Sequence, residues 1–266
     1  KMKSIAIFFS GQCDYKWDYN FDYFNSFYNN IICPLHEFNI YIIVGCYNNE
    51  KPKWEEYLGS NLKRKNLNNI QVIYITDIPD EELIRTETNI FTKNLHGDKD
   101  KYKYQYGKLY YTFKYFRENY LKNNVEIDYY IKCRFDLIYK PDNKFNPIWL
   151  EKYSSNNYIS VPSTEFHCLD RWSERKNIHT WPNMVCDQIV FDNAYIMNKY
   201  FNLYSYNCTY NYNKGIEQIL SAYLIFHKIN CAIIELQISQ PGGKYSLGKN
   251  NNWLDSQNDY IKYLNV

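Results

Sequence analysis

Three short apolar runs punctuate the first part of the chain: Lys3–Ser10 (KSIAIFFS), Asn39–Tyr47 (NIYIIVGCY) and Gln71–Ile78 (QVIYITDI). Each is short and rich in β-branched or aromatic residues, the pattern of a buried strand. Helical spacing fills the gaps between them. Phe21, Phe24, Tyr28, Ile31 and Ile32 recur every three or four residues before Pro34. Asp80–Asp100 is polar and reads as a small helix plus a loop. Gln105, Leu109, Phe113, Phe116 and Tyr120 then form the stripe of an amphipathic helix. Apolar strands alternating with helices predict an α/β fold: an open, mainly parallel sheet with helices on both faces. Ligands in such sheets bind beyond the carboxyl ends of the strands.

The rest of the chain continues the pattern more weakly. Asn157–Pro162 (NYISVP) reads as a strand, and Glu165–Asn183 as a loop carrying His167, Trp172, His179 and Trp181. Asp187–Tyr204 reads as a helix, or as a short strand running into one. Ile216, Ile219, Leu220, Tyr223, Leu224 and His227 predict a further helix, and Cys231–Ser239 (CAIIELQIS) a late strand. Gly242-Gly243-Lys244 reads as a loop. No repeat and no linker divides the 266 residues, so a single domain is expected.

Composition narrows the function classes. With 31 basic and 29 acidic residues the net charge is +2, which gives no footprint for nucleic acid or an anionic membrane. No apolar run is long enough to span a bilayer. The eight cysteines form no CxxC pair, which argues against a zinc site, and several sit in apolar runs as small core residues. A reducing, cytoplasmic setting is the expectation (host cytoplasm if the protein is viral).

The stretch Tyr130–Tyr139 (YIKCRFDLIY) carries the chemistry. Strand alternation sends Ile131, Cys133, Phe135 and Leu137 one way and Lys132, Arg134 and Asp136 the other. Charges in a row on a central strand are costly unless paired or used. Asp136 falls at a predicted strand end, as do Gly11-Gln12 and the end of Asn39–Tyr47, so the three could converge.

Lys132-Cys133-Arg134-Phe135-Asp136-Leu137 resembles the metal-binding strand of nucleotide-sugar glycosyltransferases of the GT-A fold. In a subgroup resembling bacterial capsule and lipopolysaccharide transferases and those of large DNA viruses, an Arg-x-Asp form replaces Asp-x-Asp. Ile5–Gln12 resembles their first strand and Gly-Gln turn. The Gln105 helix resembles the one before the metal strand. Asp187-Gln188 and Glu217 resemble later acidic positions. The resemblance implies a nucleotide-sugar-binding half, 1–140, and an acceptor-binding half, 141–266. It also implies a UDP-sugar donor, a glycan or glycoprotein acceptor, and Mn²⁺ or Mg²⁺ as cofactor. Asp136 would hold the metal. Gly11, Gln12, Gln105, Lys108, Arg134 and Lys244 would contact the donor, and Asp187 or Glu217 would take the acceptor's proton.

Structural alternatives stand beside these roles. Arg134 and Asp136 could form an ion pair, Asp187 could cap a helix, and Glu217 could complement a helix dipole. A GT-A-like module that binds nucleotide or glycan without turnover is the alternative function. A nucleotidyltransferase ranks last, because Ser10–Asp14 (SGQCD) lacks the cations such a loop needs.

Overall fold

The computed structural model describes residues 2–10, 22–67, 69–89, 99–123, 126–135, 137–140, 143–154, 158–162, 189–206, 220, 223–224, 227–234, 236 and 238–239. Its centre is a seven-stranded sheet. The strands are β1 (Ser4–Ser10), β2 (Asn39–Gly45), β3 (Ile70–Ile75), β4 (Tyr129–Arg134), β6 (Tyr158–Pro162), β7 (Ile189–Asn193) and β8 (Asn230–Ile234), in the spatial order β3-β2-β1-β4-β7-β6-β8. β7 alone runs against its neighbours; all the other pairings are parallel. The architecture is the expected α/β sheet, mainly parallel, with helices on both faces.

The expected run Tyr130–Tyr139 does not hold as one strand. β4 ends at Arg134 and the chain turns at Phe135. Ile138–Tyr139 then forms β5, which pairs antiparallel with β9 (Ile238–Ser239) in a separate two-stranded ribbon. The late strand expected over Cys231–Ser239 divides in the same way, between β8 and β9. The alternation itself is right. Ile131, Cys133, Phe135, Leu137 and Tyr139 all enter one core.

That core lies against α1 (Tyr23–Phe27), α2 (Lys51–Arg64) and α5 (Ile148–Ser154). α1 continues through a π turn, Tyr28–Ile32, into a 3-10 turn at Cys33–Leu35. α2 carries Pro52 in its first turn, buries Trp54 and Leu58 one turn apart, and gives way to Asn66 in the left-handed region. Its sparse apolar content hides it in the sequence.

The opposite face packs α3 (Glu81–Thr86), α4 (Lys99–Asn119) and α6 (Ala194–Phe201) over Ala6, Phe8, Tyr130 and Val190. α4 buries Tyr106, Leu109, Phe113 and Phe116 at helical spacing. It approaches β2 so closely that a Cβ on Gly45 would meet Thr112 Oγ1 at 1.9 Å. The Asp187–Tyr204 segment resolves into strand β7 running into α6, with the Asn193 side chain accepting the Ile196 N–H at 3.1 Å as N-cap.

Candidate active site at the carboxyl edge of the sheet

The strand order reverses between β1 and β4: β2 and β3 lie to one side, β7, β6 and β8 to the other. Such a switch point opens a crevice beyond the carboxyl ends of the strands. The last register pair there is Ser10↔Arg134. Arg134 is half-buried. Two residues further into the sheet, Lys132 is fully buried, beside Phe8 of β1 and Val190 of β7 in register. A lysine in the middle of a sheet is the costly feature foreseen from the sequence. β7 begins at this same edge, because its antiparallel pairing starts at Ile189↔Cys133.

Three of the expected site residues are described: Gln105, Lys108 and Arg134. Gly11, Gln12, Asp136, Asp187, Glu217 and Lys244 lie outside the described residues, as do His167, Trp172, His179 and Trp181. Gln105 is half-buried on α4, one turn before Lys108.

Lys108 reaches the carboxyl end of β2, where Cys46 donates its N–H to Ile75 O of β3 at 3.0 Å. Its side chain is almost wholly enclosed. The ammonium donates to Glu50 Oε2 at 2.8 Å and lies 5.0 Å from the centroid of the Tyr47 ring. The same oxygen accepts the Tyr47 N–H at 2.9 Å, and the Tyr47 hydroxyl donates to Pro79 O at 3.2 Å. Tyr104 stacks on Tyr47 with centroids 6.4 Å apart. Burial pushes the neighbouring Cys46 thiol up to about 11, so it stays protonated and inert. Glu50 was not foreseen. Its only sequence signal is an acid between the end of a strand and Pro52, fifty-eight residues from its partner.

A second polar cluster ties the end of α3 to α4. Lys103 donates to Arg85 O at 2.5 Å and to Glu87 O. The Glu87 carboxylate accepts the hydroxyls of Tyr111 and Tyr204. Burial, and then the bond to Glu87, push both phenols far above their usual range. Gly107 lets this strap close, since a Cβ there would meet Ile84 Cγ2 at 2.5 Å.

Among the described residues, no group of three or more His, Cys, Asp or Glu could hold a metal ion. Among the described residues no helix is long and apolar enough to cross a membrane.

No protein-family model matches the chain, and no curated protein does. Solved structures similar to it include mouse xyloside xylosyltransferase 1 in its apo form, at 11% identity and a TM-score of 0.41, covering 87% of this chain and 84% of that one. A nucleoside-diphosphate-sugar pyrophosphorylase from Vibrio cholerae RC9 is similar at 12% identity and a TM-score of 0.46, covering 97% and 99%. A glycosyltransferase involved in the glycosylation of the major capsid of PBCV-1 is similar at 11% identity and a TM-score of 0.39, covering 87% and 82%. At such values the function has to be argued from the residues themselves.

Proposed function

We propose that this chain is a glycosyltransferase that moves a sugar from a nucleotide-sugar donor, a UDP-sugar first, to a glycan or protein-linked acceptor with the help of Mn²⁺ or Mg²⁺. One observation carries the reading. Arg134, the cation of the Arg-x-Asp motif, stands opposite Ser10 at the switch point, and the antiparallel start of β7 adjoins the same strand end. The ends of β1 and β4 and the start of β7 therefore lie at one edge of the sheet, which supports the reading.

In this reading Arg134 meets the diphosphate, whose developing charge must be neutralised as it leaves. Asp136 would hold the cation, which would supply further positive charge to the leaving diphosphate. Asp187, with Glu217 as second choice, accepts the acceptor hydroxyl's proton. Gly11, Gln12, Gln105 and Lys244 complete the donor contacts. Lys108 contributes through its position beside β2 and keeps Glu50 as its partner.

That pairing is also the observation on the side of the alternative, a module that binds nucleotide or glycan without turnover. With Lys108 neutralised by Glu50, one cation fewer is free for a leaving diphosphate.

Thermal shift with UDP, GDP, CMP and dTDP and their sugars, with and without Mn²⁺ or Mg²⁺, tests the proposal. A nucleotide at about 100 times its dissociation constant adds about 2.7 kcal/mol, several degrees in melting temperature. A metal-dependent shift with one nucleotide, followed by donor hydrolysis or transfer, is the expected outcome. No shift with any nucleotide would refute the transferase reading, and binding without turnover would leave the module.

A further inference from the structure

Phe135 stands between the two residues on which the proposed reaction depends, and its ring is seated on the far side of the sheet from the Lys132–Arg134 row. It is buried edge-on against Phe9 (centroids 4.9 Å, planes at 89°), Trp54 (5.1 Å, 81°) and Tyr57 (4.9 Å, 83°). Phe9 in turn lies parallel to Trp54 at 6.3 Å and edge-on to Phe27 at 5.1 Å. One residue of β1 and two of α2 thus enclose a single side chain, and Phe27 of α1 backs Phe9.

The place of this cage matters as much as its contacts. β4's pairing with β1 ends at Arg134, and the chain turns at Phe135. Beyond the last ladder pair the sheet no longer fixes how the backbone is rotated. Edge-to-face packing of a ring depends on its orientation, so a ring held on three sides fixes that rotation instead. Alternation then sets the direction of Arg134 on the opposite face.

We propose that Phe135 and its aromatic cage are a positioning device for the donor site, holding Arg134 in register with the crevice between β1 and β4. Phe135 itself contacts no substrate. The inference rests on the donor-binding reading above.

The test compares Phe135→Leu with Phe24→Leu. Phe24 is fully buried in the same core, where its ring meets those of Phe27 and Tyr57. Tyr57→Leu removes one half-buried wall of the cage and serves if Phe135→Leu does not fold. Binding of UDP with Mn²⁺, and of GDP, CMP and dTDP in parallel, is measured by calorimetry well below the melting temperature of every variant. Hydrogen exchange of the peptide spanning Arg134 is measured without nucleotide. The expected result is a loss of nucleotide affinity of about tenfold or more for Phe135→Leu, with faster exchange at Arg134. Tyr57→Leu falls between, and Phe24→Leu binds as the wild type does at a similar cost in melting temperature. Equal affinities and equal exchange in the Phe135 and Phe24 variants, or in the Tyr57 and Phe24 variants if Phe135→Leu is unfolded, would overturn the proposal. If the wild type binds no nucleotide, the donor reading fails, and the exchange measurement still decides whether the cage holds the strand end.

Discussion

Asp192 places an acid where the fold has little means of solvating its charge. It sits on β7, opposite Tyr130 in register, and is 2% exposed. One carboxylate oxygen accepts the Asn193 N–H at 2.6 Å; the other, Oδ2, is buried with no hydrogen-bond partner among the described residues. Tyr130 and Lys132 of β4 share its face, and Arg117 of α4 acts on Tyr130. Burial pushes the carboxyl up from 3.8 to about 7, and the Asn193 bond offsets only part of that. The folded state therefore holds a proton that the unfolded chain releases. Its contribution is fully present below the unfolded value of 3.8 and is lost as pH rises through the folded value of about 7. At about 1.36 kcal/mol per pH unit, the loss comes to about 4 kcal/mol. Asp192→Asn cannot ionise. Its amide can still accept the Asn193 N–H but buries a new donor, a pH-independent cost of about 1–3 kcal/mol. Urea unfolding of both proteins from about pH 4.5 to about pH 8 separates the two effects. The variant's stability relative to the wild type should climb by several kcal/mol across that range and level off above neutrality. A difference that stays flat with pH would refute the reasoning, whatever its sign.

Glu50→Gln leaves the Lys108 ammonium enclosed without its carboxylate and should cost about 3 kcal/mol in urea melts. Adding Lys108→Met should restore most of that loss, and a Glu50→Gln variant as stable as the wild type would refute the ion pair's role. Asp136→Asn should abolish the metal-dependent nucleotide shift while leaving the melting temperature of the free protein within about 2 °C; loss of folding would instead point to a structural ion pair. Gly45→Ala forces a methyl against Thr112 and should cost about 1–3 kcal/mol. Thr112→Ala should then recover part of it, and a Gly45→Ala protein of unchanged stability would show that α4 yields easily.

β1, β2 and β3 were legible because they are continuous apolar runs, and their ends fall within a few residues of the expectation. The two-residue period across Tyr130–Tyr139 was legible too, since Ile131, Cys133, Phe135, Leu137 and Tyr139 share one core. That period cannot distinguish one strand from two strands in different sheets, so the break at Phe135 went unread. α2 was invisible because only Trp54 and Leu58 are buried along its fourteen residues. At the site, Arg134 was singled out through its place in the charged row Lys132–Arg134–Asp136, and the structure puts it at the end of β4. Glu50 was not, because its partner Lys108 comes from a helix on the far side of β3 in the chain. The bonds of Glu87 to Tyr111 and Tyr204 were beyond reach for the same reason. Local pattern reports which face a residue takes; it does not report which distant charge will face it.

β6 ends at Pro162 and β7 begins at Ile189. Because β6 runs with β4 and β7 runs against both, residues 163–188 leave and re-enter the sheet at the same edge. Any change in the length of that insert is absorbed between two fixed anchor points, and no strand pairing has to shift. Closing a longer loop is cheap, about 0.6 kcal/mol for each doubling. The reversed strand thus lets the chain between these two anchors vary in length without shifting the sheet. Lengthening or shortening residues 163–186, with Asp187 kept, should therefore leave the strand pairing of the sheet intact.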